Sequence, residues 1–286
     1  MIEKIVYDLE FAKEYLDLNE SELSARLNIP RSSLNNWRKG KTKISKNQYE
    51  KVYSFLYSEG IRINNIKSQV QKDQETKNII ILYHGAKTEL IGSPSLTYSK
   101  ENNDFGKGFY LGEDLYQAAS FVSKNINSNV YICEFQNQGL KKKTFNVDED
   151  WMLLVAYFRG RLTNYKLPKK IERIVNDLKK YDYIIAPIAD NNMYRIIDNF
   201  INGEITDLQC INSLSASELG KQYVILSKKA LSKLSVKERC YLCNEERAYY
   251  ENIKNDRYVK GIQKVKYITH RIINYCLFGA GEYPNL

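Results

Sequence analysis

Histidine is scarce in this chain, two among 286 residues, and one of them, His84, follows the apolar run Ile79-Ile-Ile-Leu-Tyr83 and precedes Gly85. An imidazole there would stand at a sheet edge beside accessible backbone, ready to hydrogen-bond a ligand; a structural histidine satisfied by its own strand is the competing reading. A second chemical signal is the glycine-dense stretch Asn102-Asn-Asp-Phe-Gly-Lys-Gly-Phe-Tyr-Leu-Gly112. Glycine permits positive φ and close approach to the backbone, so this is either a ligand cradle or a hairpin with Tyr110 in the core. Cys240-x-x-Cys243, with His270 and Cys276, has the residue types of a zinc site. The pair falls in an expected helix with no second close Cys/His pair, so no metal is expected.

Elements that would position these groups follow from periodicity. Ile79–Tyr83 predicts a buried strand, and so do Phe109–Leu111, Val130–Phe135, Tyr183–Ala186 and Tyr223–Leu226. Helical stretches are expected over 114–124, 151–159, 168–180, 191–202 and 205–214. Asp148-Glu-Asp150 before Trp151 suits a helix N-terminus, where acids offset the dipole, and Lys141-Lys-Lys143 reads as a solvated loop. After Leu231 the chain is expected to return to helix, with Ile262, Val265, Ile268, Ile272 and Ile273 as a core or partner-helix stripe. Residues 66–78 are polar without a periodic apolar face, a linker or an extended helix end.

Residues 1–62 read as short helices. Ile5, Leu9, Ala12 and Leu16 form one stripe; Asn19 or Ser21 caps a second helix; Asn28-Ile29-Pro30 breaks it; Arg31–Lys39 forms the next, closed by Gly40; a fourth spans about Lys46–Ser58. With Leu23, Leu27, Ile29, Leu34 and Trp37 packed inward, Arg31, Ser32, Ser33, Asn35, Asn36 and Arg38 fall outside, followed by Lys39. Asn and Arg can read base edges, and Ser and Lys suit phosphates. No acid lies between Glu22 and Glu50, while seven basic residues do: Arg26, Arg31, Arg38, Lys39, Lys41, Lys43 and Lys46. The stretch resembles a repressor-type helix-turn-helix, whose recognition helix often ends Ser-x-x-x-x-Trp-x-x-Gly-Lys. A small bundle for dimerisation or partner binding is the alternative.

Leu82-Tyr-His-Gly85, then Asp104-Phe-Gly-Lys-Gly-Phe-Tyr-Leu111 and a helix with Gln117-Ala-Ala119, resemble a bacterial family of unknown function placed in the ADP-ribosyltransferase superfamily, on the diphtheria-toxin and poly(ADP-ribose) polymerase side. Tyr181–Asp190, Asn202–Ile205 and Gln222–Leu231 agree in order, so the resemblance spans about 79–234. It implies NAD as substrate. His84 would bond the ribose 2′-hydroxyl, the Gly85 backbone would hold the nicotinamide amide, and Tyr110 would stack on the ring while the glycosidic bond stretches. Gly106 and Gly108 belong to the same cradle, and Lys107 and Arg159 are pyrophosphate partners or solvated charges. Gln222 occupies the position where the superfamily's His-Tyr-Glu set has its glutamate; an amide can position NAD but cannot act as a base. Three alternatives stay open: the acceptor nucleophile is activated in another way, the activity is mono-transfer with help from the acceptor, or another carboxylate such as Asp104 or Asp190 serves.

The expected architecture is α+β: an ADP-ribosyltransferase-like split sheet with helices over 79–234, an all-α helix-turn-helix domain over 1–64, a linker over 65–78 and a helical extension over 235–286. A net charge of +9 favours a polyanionic partner such as nucleic acid or a nucleotide. Tyrosine is frequent, 23 residues, a bias ascribed to AT-rich coding rather than function. Five cysteines at irregular spacing suit reduced thiols in the cytoplasm. No apolar run is long enough to cross a bilayer, and Met1-Ile-Glu-Lys4 does not open like a signal peptide. The expected function is mono-ADP-ribosyl transfer from NAD to a protein, RNA or DNA acceptor by a toxin of a toxin–antitoxin or phage-defence system, with an antitoxin partner. A DNA-binding regulator that senses NAD or an ADP-ribosyl metabolite without turnover is the alternative, and a nucleic-acid-modifying enzyme a third reading.

Overall fold

An unbroken apolar run has no polar side to offer water, so Ile79–Tyr83 must be covered on both faces. The computed structural model, which describes residues 4–162, 169–189, 191–215 and 220–255, meets that requirement. Strands β1 (Ile79–Ala86), β2 (Phe109–Gly112), β3 (Asn129–Gln136), β4 (Lys142–Thr144), β5 (Tyr183–Pro187), β6 (Lys221–Ile225) and β7 (Leu234–Tyr241) form one sheet, ordered β4-β5-β6-β2-β1-β3-β7. β4 and β5 are parallel and every other pairing is antiparallel. β1 is therefore interior, and Ile81, Leu82 and Tyr83 are buried.

The pairing is uneven. β1 and β3 share eight register pairs, whereas β1 and β2 share one, Tyr83 with Gly112. The sheet thus has a seam, with β4-β5-β6-β2 on one side and β1-β3-β7 on the other. One face is covered over β1 and β3 by α6 (Leu115–Val122) and by Tyr250 of a helix over 244–255. Over β2, β5 and β6 the same face packs against α7 (Glu149–Phe158), α8 (Lys169–Leu178), α9 (Asn191–Ile201) and α10 (Asp207–Ser215). The opposite face carries Leu82, Phe109, Tyr131, Phe135 and Ile225, joined by Ala230 of α11 (Lys228–Leu231) and by Leu90 and Leu96 of the loop that follows β1. Asp114 caps α6 by accepting from Gln117 N, and Asp148 caps α7 by accepting from Trp151 N.

Two expectations fail here. Leu234–Tyr241 is a strand, not helix, and helix resumes only at residue 244. Its charged middle misleads a periodicity reading because those charges pair with distant elements: Lys237 with Glu134, Glu238 with Lys4, Arg239 with Glu89. Lys142 and Lys143 are not loop but the edge strand β4, where charge discourages further pairing. The Ile262–Ile273 stripe, His270 and Cys276 lie outside the described residues.

The N-terminal part is a bundle of α1 (Lys4–Tyr15), α2 (Glu20–Leu27), α3 (Arg31–Arg38), α4 (Lys46–Ser58) and α5 (Ile63–Lys72). Asn19 and Ser45 each build a reciprocal capping box, with Glu22 and Gln48. The stretch expected as linker or helix end is α5 through Lys72. The bundle's core of Ile5, Leu9, Leu23, Leu34, Trp37, Val52 and Leu56 also takes in Tyr241 and Cys243, so the sheet's last strand ends inside it. Asn64 donates to Tyr241 O and to Glu246 Oε2, both at 2.8 Å, sealing the junction. Among the described residues no helix is long and apolar enough to cross a membrane.

Candidate functional site

At the seam, the backbone of β2 needs partners that β1 does not supply. His84 Nδ1 lies 2.8 Å from Tyr110 O. A carbonyl only accepts, so Nδ1 carries the proton and Nε2 is left as an acceptor. The ring stacks on Phe109 at 4.2 Å between centroids. Burial pushes the imidazole below its ordinary value and so keeps the ring neutral near neutral pH, although the hydrogen bond to the Tyr110 carbonyl partly opposes this. His84 is therefore not at a sheet edge, as expected, but on an interior strand beside a local parting of the sheet. Gly85 faces α6, where a Cβ would lie 2.5 Å from Ala118 O.

Strand alternation separates the three residues expected to act together. Tyr83 pairs with Gly112, and Gly112 with Gln222, so Gln222 and Tyr110 share the helix-covered face. His84 projects from the other face, with Phe109 and Tyr131. Tyr110 is pinned: its hydroxyl donates to Gly106 O (2.7 Å) and accepts from Phe105 N (3.1 Å). Burial raises the phenol well above its usual range, so it stays protonated. Gly106 needs its glycine for φ +71°, and a Cβ at Gly108 would lie 2.7 Å from Val224 Cγ1. Both are explained by the protein's own packing.

Below Gln222 the structure assembles a polar cluster around Asp104. One carboxylate oxygen, Oδ1, accepts from Arg159 Nε (2.9 Å) and Nη2 (2.7 Å) and from the Tyr194 hydroxyl. Oδ2 accepts from Gln222 Nε2 (2.8 Å) and Ala189 N (3.4 Å). Gln222 Nε2 also donates to Pro187 O at 3.0 Å. The Asp104 side chain is 5% exposed. Burial and the Asp104 charge raise the Tyr194 phenol, holding its proton on the oxygen. Arg159 stands at the C-terminus of α7, with its guanidinium over the Tyr194 ring. Its charge is thus matched by Asp104, and Lys107 is an exposed charge paired with Glu101. Tyr194 was missed by sequence reasoning; its only signal was one tyrosine among many on α9. Asp190 lies outside the described residues.

On the bundle, Arg31, Ser32, Asn35 and Lys39 are exposed, and Ser33 and Asn36 are half-buried. Arg38 is not on the outer side with them: it turns back to Glu10 (2.6 Å) and Glu20 (2.7 Å). The chain reverses between α2 and α3 through Asn28 at φ 51°. Cys240 and Cys243 are buried, and burial pushes the Cys243 thiol up to about 12. No cluster of three or more potential metal ligands occurs among the described residues.

Residues 80–236, more than half of the chain, match the family described as "Protein of unknown function (DUF3990)". The chain belongs to that family. The match takes in β2 to β6, nearly all of β1 and only the start of β7, and with them His84, Asp104, Tyr110, Arg159, Tyr194 and Gln222; it stops before Tyr241 enters the bundle core. No curated protein and no solved structure matches the chain.

Proposed function

We propose that this DUF3990 protein is a mono-ADP-ribosyltransferase that moves ADP-ribose from NAD to a protein or nucleic-acid acceptor. The observation that carries the reading is the seam: a neutral His84 with Nε2 free to accept from a hydroxyl, held by the Tyr110 carbonyl where β1 and β2 part. A split of this kind is what an ADP-ribosyltransferase-like sheet would have. Because His84 and Gln222 project from opposite faces, the reading requires the dinucleotide to lie across the parting and reach groups on both. In transfer, the bond between ribose C1′ and the nicotinamide nitrogen breaks, nicotinamide leaves with the electron pair, and the acceptor's nucleophile bonds C1′. Gln222 takes no proton, so the acceptor's proton leaves to water or to the acceptor's own groups.

The exposed Arg31, Ser32, Asn35 and Lys39 support a helix-turn-helix that holds DNA, either for autoregulation or to bring the enzyme to its acceptor. The setting that fits is a cytoplasmic toxin of a toxin–antitoxin or phage-defence system, with an antitoxin as further partner. A regulator that binds NAD or an ADP-ribosyl metabolite without turnover is the second reading. It is favoured by one observation: both Asp104 oxygens are already committed, which leaves no free carboxylate there.

Incubation of the purified protein with labelled NAD and cell extract separates the two. Label transferred to macromolecules by wild type, and lost in His84→Ala and Tyr110→Ala, is the expected result. Protease-resistant, nuclease-sensitive label would make the acceptor nucleic acid. Saturable NAD binding with neither transfer nor hydrolysis would overturn the enzyme in favour of the sensor; no binding at all would overturn both.

A further inference from the structure

A side-chain amide can sit in two orientations related by a half-turn, and around Gln222 the surroundings allow one. Gln222 Nε2 donates to Asp104 Oδ2 at 2.8 Å and to Pro187 O at 3.0 Å. Turning the amide over would set Oε1 against a carboxylate oxygen and a carbonyl oxygen, acceptor against acceptors, in a residue that is 7% exposed. Oε1 makes no hydrogen bond to the described residues and is not among their fully buried unpartnered atoms. Asp104 is in turn fixed by Arg159, Tyr194 and Ala189 N.

We infer that Asp104 is a positioning residue: it locks the Gln222 amide so that Oε1 faces the site's ligand as a fixed, neutral, acceptor-only group. The complementary ligand chemistry is a hydroxyl; its identity as a ribose hydroxyl of NAD rests on the function proposed above. The same geometry explains why position 222 is not glutamate. A carboxyl there would meet the Asp104 carboxylate at hydrogen-bond distance, so the pair would either repel or be forced to share a proton, and the outward oxygen would no longer belong to a fixed neutral amide. The acid and the amide stand exchanged between positions 104 and 222 relative to a site whose carboxylate faces the ligand.

The test is a double-mutant cycle on the full chain with Gln222→Glu, Asp104→Asn and the two combined, read by NAD titration calorimetry and thermal melting. Gln222→Glu is expected to weaken NAD binding by at least about tenfold and to lower the melting temperature, because two carboxylates are forced together. The combined variant restores an amide–acid pair in reversed order. It should regain part of the melting temperature and affinity lost in Gln222→Glu, short of wild type because the Pro187 carbonyl would still face an acceptor. Additive losses in the combined variant would overturn the inference. If wild type binds no NAD, the proposed function falls, and the Gln222 side-chain amide signal in a 15N spectrum decides this point separately. Two resolved, water-protected protons that lose protection in Asp104→Asn support the lock; protection unchanged by that substitution refutes it.

Discussion

Glu246 offers a quantitative check of the contact between the helical bundle and the sheet. Its carboxyl is buried where the helix over 244–255 meets α5, accepting from Asn64 Nδ2 at 2.8 Å. Desolvation raises it from 4.5 to about 7; Asn64, Arg62 and Lys67 lower it without offsetting burial. Tyr57, Tyr250, Cys240 and Cys243 feel its charge in turn. The folded protein therefore holds this proton more tightly than the unfolded chain. The associated stability is complete below about 4.5, declines as pH rises and is lost above about 7. A shift of that size, at about 1.4 kcal/mol per unit, corresponds to about 3 kcal/mol. Glu246→Gln keeps an acceptor for Asn64 and stays neutral at every pH. It should match wild type near pH 4.5 and exceed it by about 3 kcal/mol near pH 8, a rise of roughly 6–10 °C in melting temperature. Urea and thermal melts followed by circular dichroism at both pH values measure this directly. A stability difference independent of pH, or a variant weaker than wild type near pH 8, would refute a buried, uncompensated carboxyl at this junction.

Gly85→Ala should cost about 1–3 kcal/mol in a thermal melt, because its Cβ would lie 2.5 Å from Ala118 O and must push α6 off β1; an unchanged melt would remove that close approach. Arg38→Ala should lower stability by about 1 kcal/mol or less through its pairing with Glu10 and Glu20, whereas Asn35→Ala should reduce DNA retention at unchanged stability. Retention lost in Arg38→Ala without a change in melting would return Arg38 to the DNA-facing side.

What the sequence made legible was local. The apolar run of β1, the Asn19 cap, the Asn28 break and the acids ahead of α7 carry their structural meaning within a few residues, and each is where periodicity and capping chemistry put it. What it hid depends on partners far along the chain. β7 looks helical until Lys237, Glu238 and Arg239 are seen facing Glu134, Lys4 and Glu89. Arg38 looks like a reading residue until Glu10 and Glu20 are folded beside it. The site divides the same way. His84 and the glycine-dense loop stood out, but Asp104 acquires its role only from Arg159, Tyr194 and Gln222, which lie 55, 90 and 118 residues away.

The junction bears on how the helical bundle and the seam relate. A bundle tethered by a polar linker would close its own core. Here Tyr241 and Cys243, from the end of β7 and just beyond, are core residues of the bundle, while β7 is paired along β3, and β3 with the strand that bears His84. Tyr241 is held twice more, by its hydroxyl on Glu50 of α4 and by its carbonyl under Asn64 of α5. Removing the bundle would expose Tyr241 and strand the Glu246 carboxyl without Asn64; removing the sheet would take the Tyr241 ring from Tyr49 and Tyr53, each 5.4 Å from it between centroids. The two parts share apolar core residues and several polar contacts, among them Lys4 with Glu238 and Ser68 with the Tyr83 hydroxyl, so the element carrying Asn35 is joined to the strand carrying His84 through packed side chains rather than through a tether.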